Sequence, residues 1–175
     1  LSKLEITLHW VVGLGMIGLI AVGMYMSNTE TYVLYPIHKS VGILLFIAIL
    51  WRAVNRLRQG WPESISKGAA WEHGLARVIH WVLIVGTILM PISGMLDAYM
   101  SGRGLAVFGF DLVAANLGDD GQAVVINKAL GNVGAAIHGI LGKVLIAAIL
   151  LHVAGALKHH LIDNDGTLRR VLGQQ

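Results

Sequence analysis

Eight histidines stand in a chain of 175 residues that is 55% hydrophobic and only 13% charged. Histidine offers a neutral nitrogen to a metal and exchanges protons near neutral pH. His9, His38, His80, His138 and His152 fall within or at the edge of long apolar runs, where polar side chains are costly and mark function. His73, His159 and His160 lie near the ends of such runs. The informative spacing is that of His138 and His152, fourteen positions apart. On a helix that offset is roughly 1400°, about 40° short of four turns, so both face nearly the same way. Along the axis they are separated by roughly 21 Å, most of a hydrocarbon core about 30 Å thick. Two ligands so far apart cannot share one zinc or copper ion. Each needs a partner at its own depth.

The elements that must supply those partners are long and apolar. Four segments, about 6–26, 36–54, 75–95 and 133–157, are apolar over the roughly 20 residues that a bilayer crossing requires. Mean hydropathy is +0.69. The first segment is too long for a signal-peptide core and is read as a retained span. These features predict an all-α membrane protein: a four-transmembrane-helix bundle in a single domain, residues 1–175. Lys3, Arg52, Arg56, Arg58, Lys67, Arg77, Lys158, Arg169 and Arg170 collect at one end of the spans. The other end carries Lys39, Arg103 and Lys128 against Asp97, Asp111, Asp119 and Asp120. The positive-inside rule then predicts that both termini are cytoplasmic. The outer loop, residues 97–132, is long enough to be functional or to carry short helices of its own. The pI of 9.4 reflects these flanking charges. No basic stripe with interleaved aromatics is present, and nucleic acid is excluded as a partner.

Topology pairs the histidines by depth. The first and fourth spans place His9 and His152 near the inner face. The second and fourth place His38 and His138 near the outer face. Two imidazoles at one depth on facing helices are what a bis-histidine haem requires. With no cysteine in the chain, disulfides, iron–sulfur clusters and covalent c-type haem are excluded. The prediction is two non-covalent b haems in the core, one near each face. A porphyrin covers positions one turn from its ligand, and those positions are small: Gly13 beside His9, Gly42 beside His38, Gly134 and Gly142 beside His138, Ala148 and Ala156 beside His152. Small residues at that spacing also serve helix packing alone. His80 has Ile84 one turn on, against a haem on that face.

Leu8-His9-Trp10, Ile37-His38-Lys39-Ser40-Val41-Gly42, Glu72-His73-Gly74-Leu75-Ala76 with His80, Leu151-His152, Lys158-His159-His160 and Asp165-Gly166-Thr167-Leu168-Arg169-Arg170 together resemble the bacterial cytochrome b561 family over nearly the whole chain. The resemblance implies a multi-pass cytochrome of the bacterial inner membrane whose two b haems exchange electrons with ubiquinone. It implies His9, His38, His138 and His152 as axial ligands. Some family members resemble superoxide oxidases, which pass electrons from periplasmic superoxide to the quinone.

Around these sites the basic residues have two readings. Arg52 and Arg56, one turn apart, would pair with haem propionates, or form the ordinary basic flank of a span. His80 and His159 lie at the depth of the inner haem and would serve a quinone or a propionate, since imidazole gives both a hydrogen bond and a proton. Interfacial histidines satisfied by water are the alternative. Lys143, inside the fourth span, lies about 140° around the helix from His138 and would snorkel or reach a propionate. The function predicted is electron transfer across the inner membrane between a periplasmic donor and the ubiquinone pool. The alternative is a membrane-anchor cytochrome b subunit relaying electrons for a partner dehydrogenase or hydrogenase. The partners expected are membrane lipid, quinone and a periplasmic redox protein.

Overall fold

The computed structural model describes residues 1–60 and 69–174. Pro62 and Lys67, in the basic connection, lie outside the described residues. Four helices are long and apolar enough to cross a membrane: α1 (Lys3–Thr29), α2 (Tyr35–Gln59), α3 (Ala70–Met100) and α4 (Lys128–Leu161). A short α5 (Thr167–Val171) follows. Each crossing helix extends past the apolar segment that announced it, because the polar flanks continue the same backbone hydrogen bonding out of the apolar core.

Local chemistry sets several of the ends. Ser2 and Glu5 form a reciprocal capping box at the start of α1, with bonds of 3.2 and 2.7 Å. Asn127 caps α4 by accepting from the Leu130 amide at 3.0 Å. Glu30 ends α1 in the left-handed conformation.

The bundle is two helix pairs: α1 packs on α2, and α3 packs most extensively on α4, with α2 bridging to α3. Lipid is as apolar as leucine, so close approach and van der Waals packing hold such helices together. Val12, Met16, Leu45, Ile49 and Leu145 form the buried centre. Glycines let side chains seat there. A Cβ on Gly15 would stand 2.8 Å from Leu45, and one on Gly86 2.8 Å from Leu145. A Cβ on Gly134 would meet the backbone of Asp97 and Ser93 at 2.7 and 2.9 Å, so Gly134 is a point of contact between α3 and α4. Of the small residues flanking the histidines, this one serves packing.

At the end bearing the termini, the Trp10 indole donates to the Val171 carbonyl at 3.1 Å, docking the tail on α1. Lys158 joins α4 to α3 through both oxygens of Glu72, at 2.8 and 2.9 Å. At the opposite end, the α3–α4 connection carries no helix among the described residues. It folds as an antiparallel hairpin, β1 (Leu105–Val107) and β2 (Phe110–Val113). The two-residue loop Phe108–Gly109 has φ of 47° and 88°, the geometry that tight hairpins demand. Of the two alternatives for this loop, short helices are not found among the described residues, since its glycines and β-branched residues favour turns and strands. β1 lies along the start of α2.

Candidate functional site

The four histidines predicted as ligands form two pairs. The ring centroids of His38 and His138 are 6.2 Å apart, and those of His9 and His152 are 6.1 Å apart. A metal bonded to one nitrogen of each ring at about 2 Å holds the centroids about 6 Å apart. Both pairs therefore have the separation of imidazoles facing each other across one ion.

At the hairpin end, α1, α2, α3 and α4 surround a cavity enclosing about 1040 Å³, its open mouth included, with His38 and His138 in its wall. Its lining is largely apolar, with Met16, Leu19, Ile20 and Met90 among the contributors. The His138 Nδ1 lies 2.9 Å from the Met90 carbonyl oxygen. A carbonyl only accepts, so Nδ1 carries the proton and Nε2 keeps its lone pair. The Ser93 hydroxyl, 3.4 Å from the same Nδ1, donates to the Met90 carbonyl at 2.8 Å. Across the cavity, the buried His38 Nδ1 has no hydrogen-bond partner among the described residues, a cost unless a ligand engages the ring. Gly23 and Gly94 line the same cavity. A Cβ on Gly23 would lie 3.4 Å from His38 Cε1, and one on Gly94 3.0 Å from His138 Cε1. The donor set, the apolar walls and the room left by glycine fit a planar macrocycle held between two histidines.

The second pair lies toward the termini. There His80 joins it, its ring centroid 5.2 Å from that of His152. Three imidazoles thus meet at one depth, with Arg52 within electrostatic reach of all three. Gly13, one turn from His9, has open space beside it. Arg56 is more committed: it pairs with Glu5 at 3.8 Å and donates to the Gly60 carbonyl at 3.2 Å. His159 stands apart from this group. Its Nδ1 faces Asp163 at 2.8 Å and Asp165 at 3.2 Å. Asp165 is held below the usual carboxylate range. Burial would raise it, but the bonds from Thr167 and the nearby His159 outweigh that. Lys143 is exposed on the outside of α4, and the cavity wall does not include it.

At the cavity mouth stand Tyr35, Lys39 and Asp97. Arg103 donates to the Tyr35 hydroxyl at 3.1 Å and to Asp97 at 2.7 Å. Lys39 lies over the Tyr35 ring, 5.6 Å from its centroid.

Sequence reasoning missed Gly23, Gly94, Met90 and Ser93. Gly23 and Gly94 act on histidines of other helices, and the Met90 contact is through a main-chain atom. Spacing along one helix carries no trace of either.

The comparisons with known proteins agree with this architecture. The family model described as prokaryotic cytochrome b561 matches residues 1–174. "Cytochrome b561 homolog 2" of Escherichia coli (strain K12) is 30% identical over 171 residues, 95% of this chain and 87% of the relative. "Probable superoxide oxidase CybB" of Yersinia pestis is 31% identical over 180 residues, 98% and 94%. "Cytochrome b561 homolog 1" of Escherichia coli (strain K12) is 27% identical, over 98% and 96%. With four membrane-crossing helices and histidines paired across the bundle, the chain belongs to the prokaryotic cytochrome b561 family of b-type, haem-binding membrane proteins.

Proposed function

We propose that this protein is a di-haem b-type cytochrome carrying electrons across the bacterial inner membrane between a periplasmic donor and the ubiquinone pool. The observation that carries the reading is the twin separation of 6.1 and 6.2 Å between paired imidazoles at two depths. His9 and His152 would hold one haem near the cytoplasmic face. His38 and His138 would hold the other near the periplasmic face. The haem iron supplies reversible one-electron chemistry when bound. The protein supplies the rest: axial nitrogens, dry walls, and α4 as a common wall joining the two sites. The Met90 carbonyl keeps His138 in one tautomer and raises its basicity as a ligand. Arg52 is the better placed cation for a propionate of the inner haem, Arg56 being already shared with Glu5.

His80 and His159 are the residues proposed for a quinone or a propionate. His80 has the stronger support, because it reaches the inner ligand pair. Beside it, Trp81 and Arg56 line a groove of about 440 Å³ on the outside of the bundle, open to a lipid-soluble ring. His159 is engaged by Asp163 and Asp165 through Nδ1, which ties it to the tail after α4.

Superoxide is a candidate donor. The Yersinia pestis relative bears that activity in its name, and Lys39 gives the cavity mouth a cation beside the Arg103–Asp97 pair. The test is spectroscopic. Purified protein should bind two haems per chain. His38→Ala and His9→Ala should each leave one, with distinct reduced-state spectra and midpoint potentials. A single haem in the wild type, or no loss in either variant, overturns the assignment. Stopped-flow mixing with superoxide, with and without ubiquinone, then identifies the donor and acceptor.

A further inference from the structure

The β1–β2 hairpin displays apolar side chains where a loop in water would not. Phe108 is 60% exposed, Phe110 79% and Leu112 61%. The hairpin does not stand away from the bundle. The Phe108 amide donates to the Ser40 hydroxyl at 2.9 Å, and Lys39 Nζ approaches the Gly104 carbonyl at 3.5 Å. These contacts fix its depth. The polar rim of this end is the Tyr35–Arg103–Asp97 network. Ser40 lies five residues further along α2, roughly 7.5 Å deeper at helical rise. The tip of the hairpin therefore folds back below the polar rim, along the outside of α2. That helix itself exposes Ile37, Leu44 and Ile47.

The distribution of aromatics makes the same point independently. The chain has five tryptophans. Of these, Trp10, Trp51, Trp71 and Trp81 fall in the half nearer the termini. The hairpin end has none among the described residues. It has instead all four tyrosines, Tyr25, Tyr32, Tyr35 and Tyr99, and two of the three phenylalanines, Phe108 and Phe110. Aromatic side chains gather at both membrane–water boundaries. The hairpin tip adds two phenylalanines to the tyrosines of this end. Phe108 also sits at φ 47°, a conformation that asparagine or glycine adopts at lower cost.

We propose that the hairpin tip, Phe108 to Leu112, is seated in the membrane at the boundary of lipid headgroups and acyl chains, completing the aromatic belt of this end. Phe110 and Leu112 are the most open apolar side chains of β2, 79% and 61% exposed, and Leu112 is the unpaired residue of a bulge opposite the Leu105–Ala106 step. These apolar side chains meet lipid while Asp111 stays near Lys39. The strand edge is left in the boundary, where water still satisfies its backbone groups. Held by lipid on one side and by Ser40 on the other, the hairpin keeps Lys39 and Tyr35 in place at the cavity mouth.

The absence of cysteine gives a direct test. Phe110→Cys, labelled with a nitroxide and placed in vesicles of phosphatidylethanolamine and phosphatidylglycerol, reports collisions with oxygen and with a water-soluble nickel chelate. Leu44→Cys on the exposed face of α2 is the lipid standard, and Asp120→Cys in the exposed connection is the water standard. The Phe110 label should favour oxygen severalfold over the Asp120 label and approach the Leu44 value. A ratio equal to that of Asp120 overturns the proposal. So does a label accessible to nickel in vesicles but shielded from both reagents in native membranes, since a protein partner then covers the tip. Leu112→Cys repeats the measurement if Phe110→Cys does not elute as the native protein does.

Discussion

His138 is where a single side chain best shows its task. A carbonyl acceptor at 2.9 Å fixes its proton on Nδ1, and glycine at position 94 leaves the ring its space. Gly94→Ala would bring a Cβ to 3.0 Å from His138 Cε1, whereas Gly23→Ala would bring one only to 3.4 Å from His38 Cε1. The first is closer than a packed ring tolerates without shifting; the second is near ordinary contact. Gly94→Ala should therefore displace the ring, lowering haem content at the His38–His138 site or shifting its midpoint potential. Gly23→Ala should leave both close to wild type. Redox titration of the two purified variants checks the contrast. Asp165 makes a second prediction, with a definite sign. Its folded-state pKa lies below the ordinary 3.8, so the ionised form favours the folded tail. That contribution is whole above the ordinary value and is lost as pH falls through the folded one. Proteolysis of the α5 tail should quicken on acidification through that range, and Asp165→Asn should remove this dependence.

The helix pair α3 and α4 depends on backbone approach at Gly134. Its would-be Cβ meets main-chain atoms of Asp97 and Ser93, which cannot rotate away as a side chain end can. Gly134→Val should separate the helices and destabilise the protein by about 1–3 kcal/mol or more. A lower melting temperature in detergent, with haem lost near Ser93 and His138 first, is the expected result. Gly139→Ala is the control, since nothing lies within 4 Å of that position, and should melt as the wild type does. The same glycine-at-one-turn pattern surrounds His138 on both sides, yet Gly134 packs helices while Gly142 meets only the Met90 methyl at 3.5 Å. The pattern cannot separate the two uses, because it records spacing and not which neighbour faces each position.

For the whole molecule, the docking of the tail on α1 through Trp10 and Val171 puts both ends of the described chain on one side of the bundle. The cations of that end, among them Arg52, Arg56, Arg58, Arg169 and Arg170, predict the cytoplasmic side. A fluorescent protein fused after Gln175 should mature and fluoresce, and alkaline phosphatase fused there should be inactive. Alkaline phosphatase inserted at Asp119 should be active. The reverse pattern would invert the assignment of inner and outer sites. The amino-acid sequence by itself determined the spans and their order, and which of His9, His38, His138 and His152 pair with one another across the bundle. Hydropathy and helical rise are local properties, and a bilayer converts position along a span into depth. Only the tertiary structure decided what meets across the bundle: His80 against His152, the Met90 carbonyl on His138, Gly94 and Gly23 beside the rings, and a hairpin laid against α2. Those contacts depend on how each helix is rotated about its axis toward its neighbours. That rotation is set by packing between helices distant in sequence, which periodicity within any one of them does not encode.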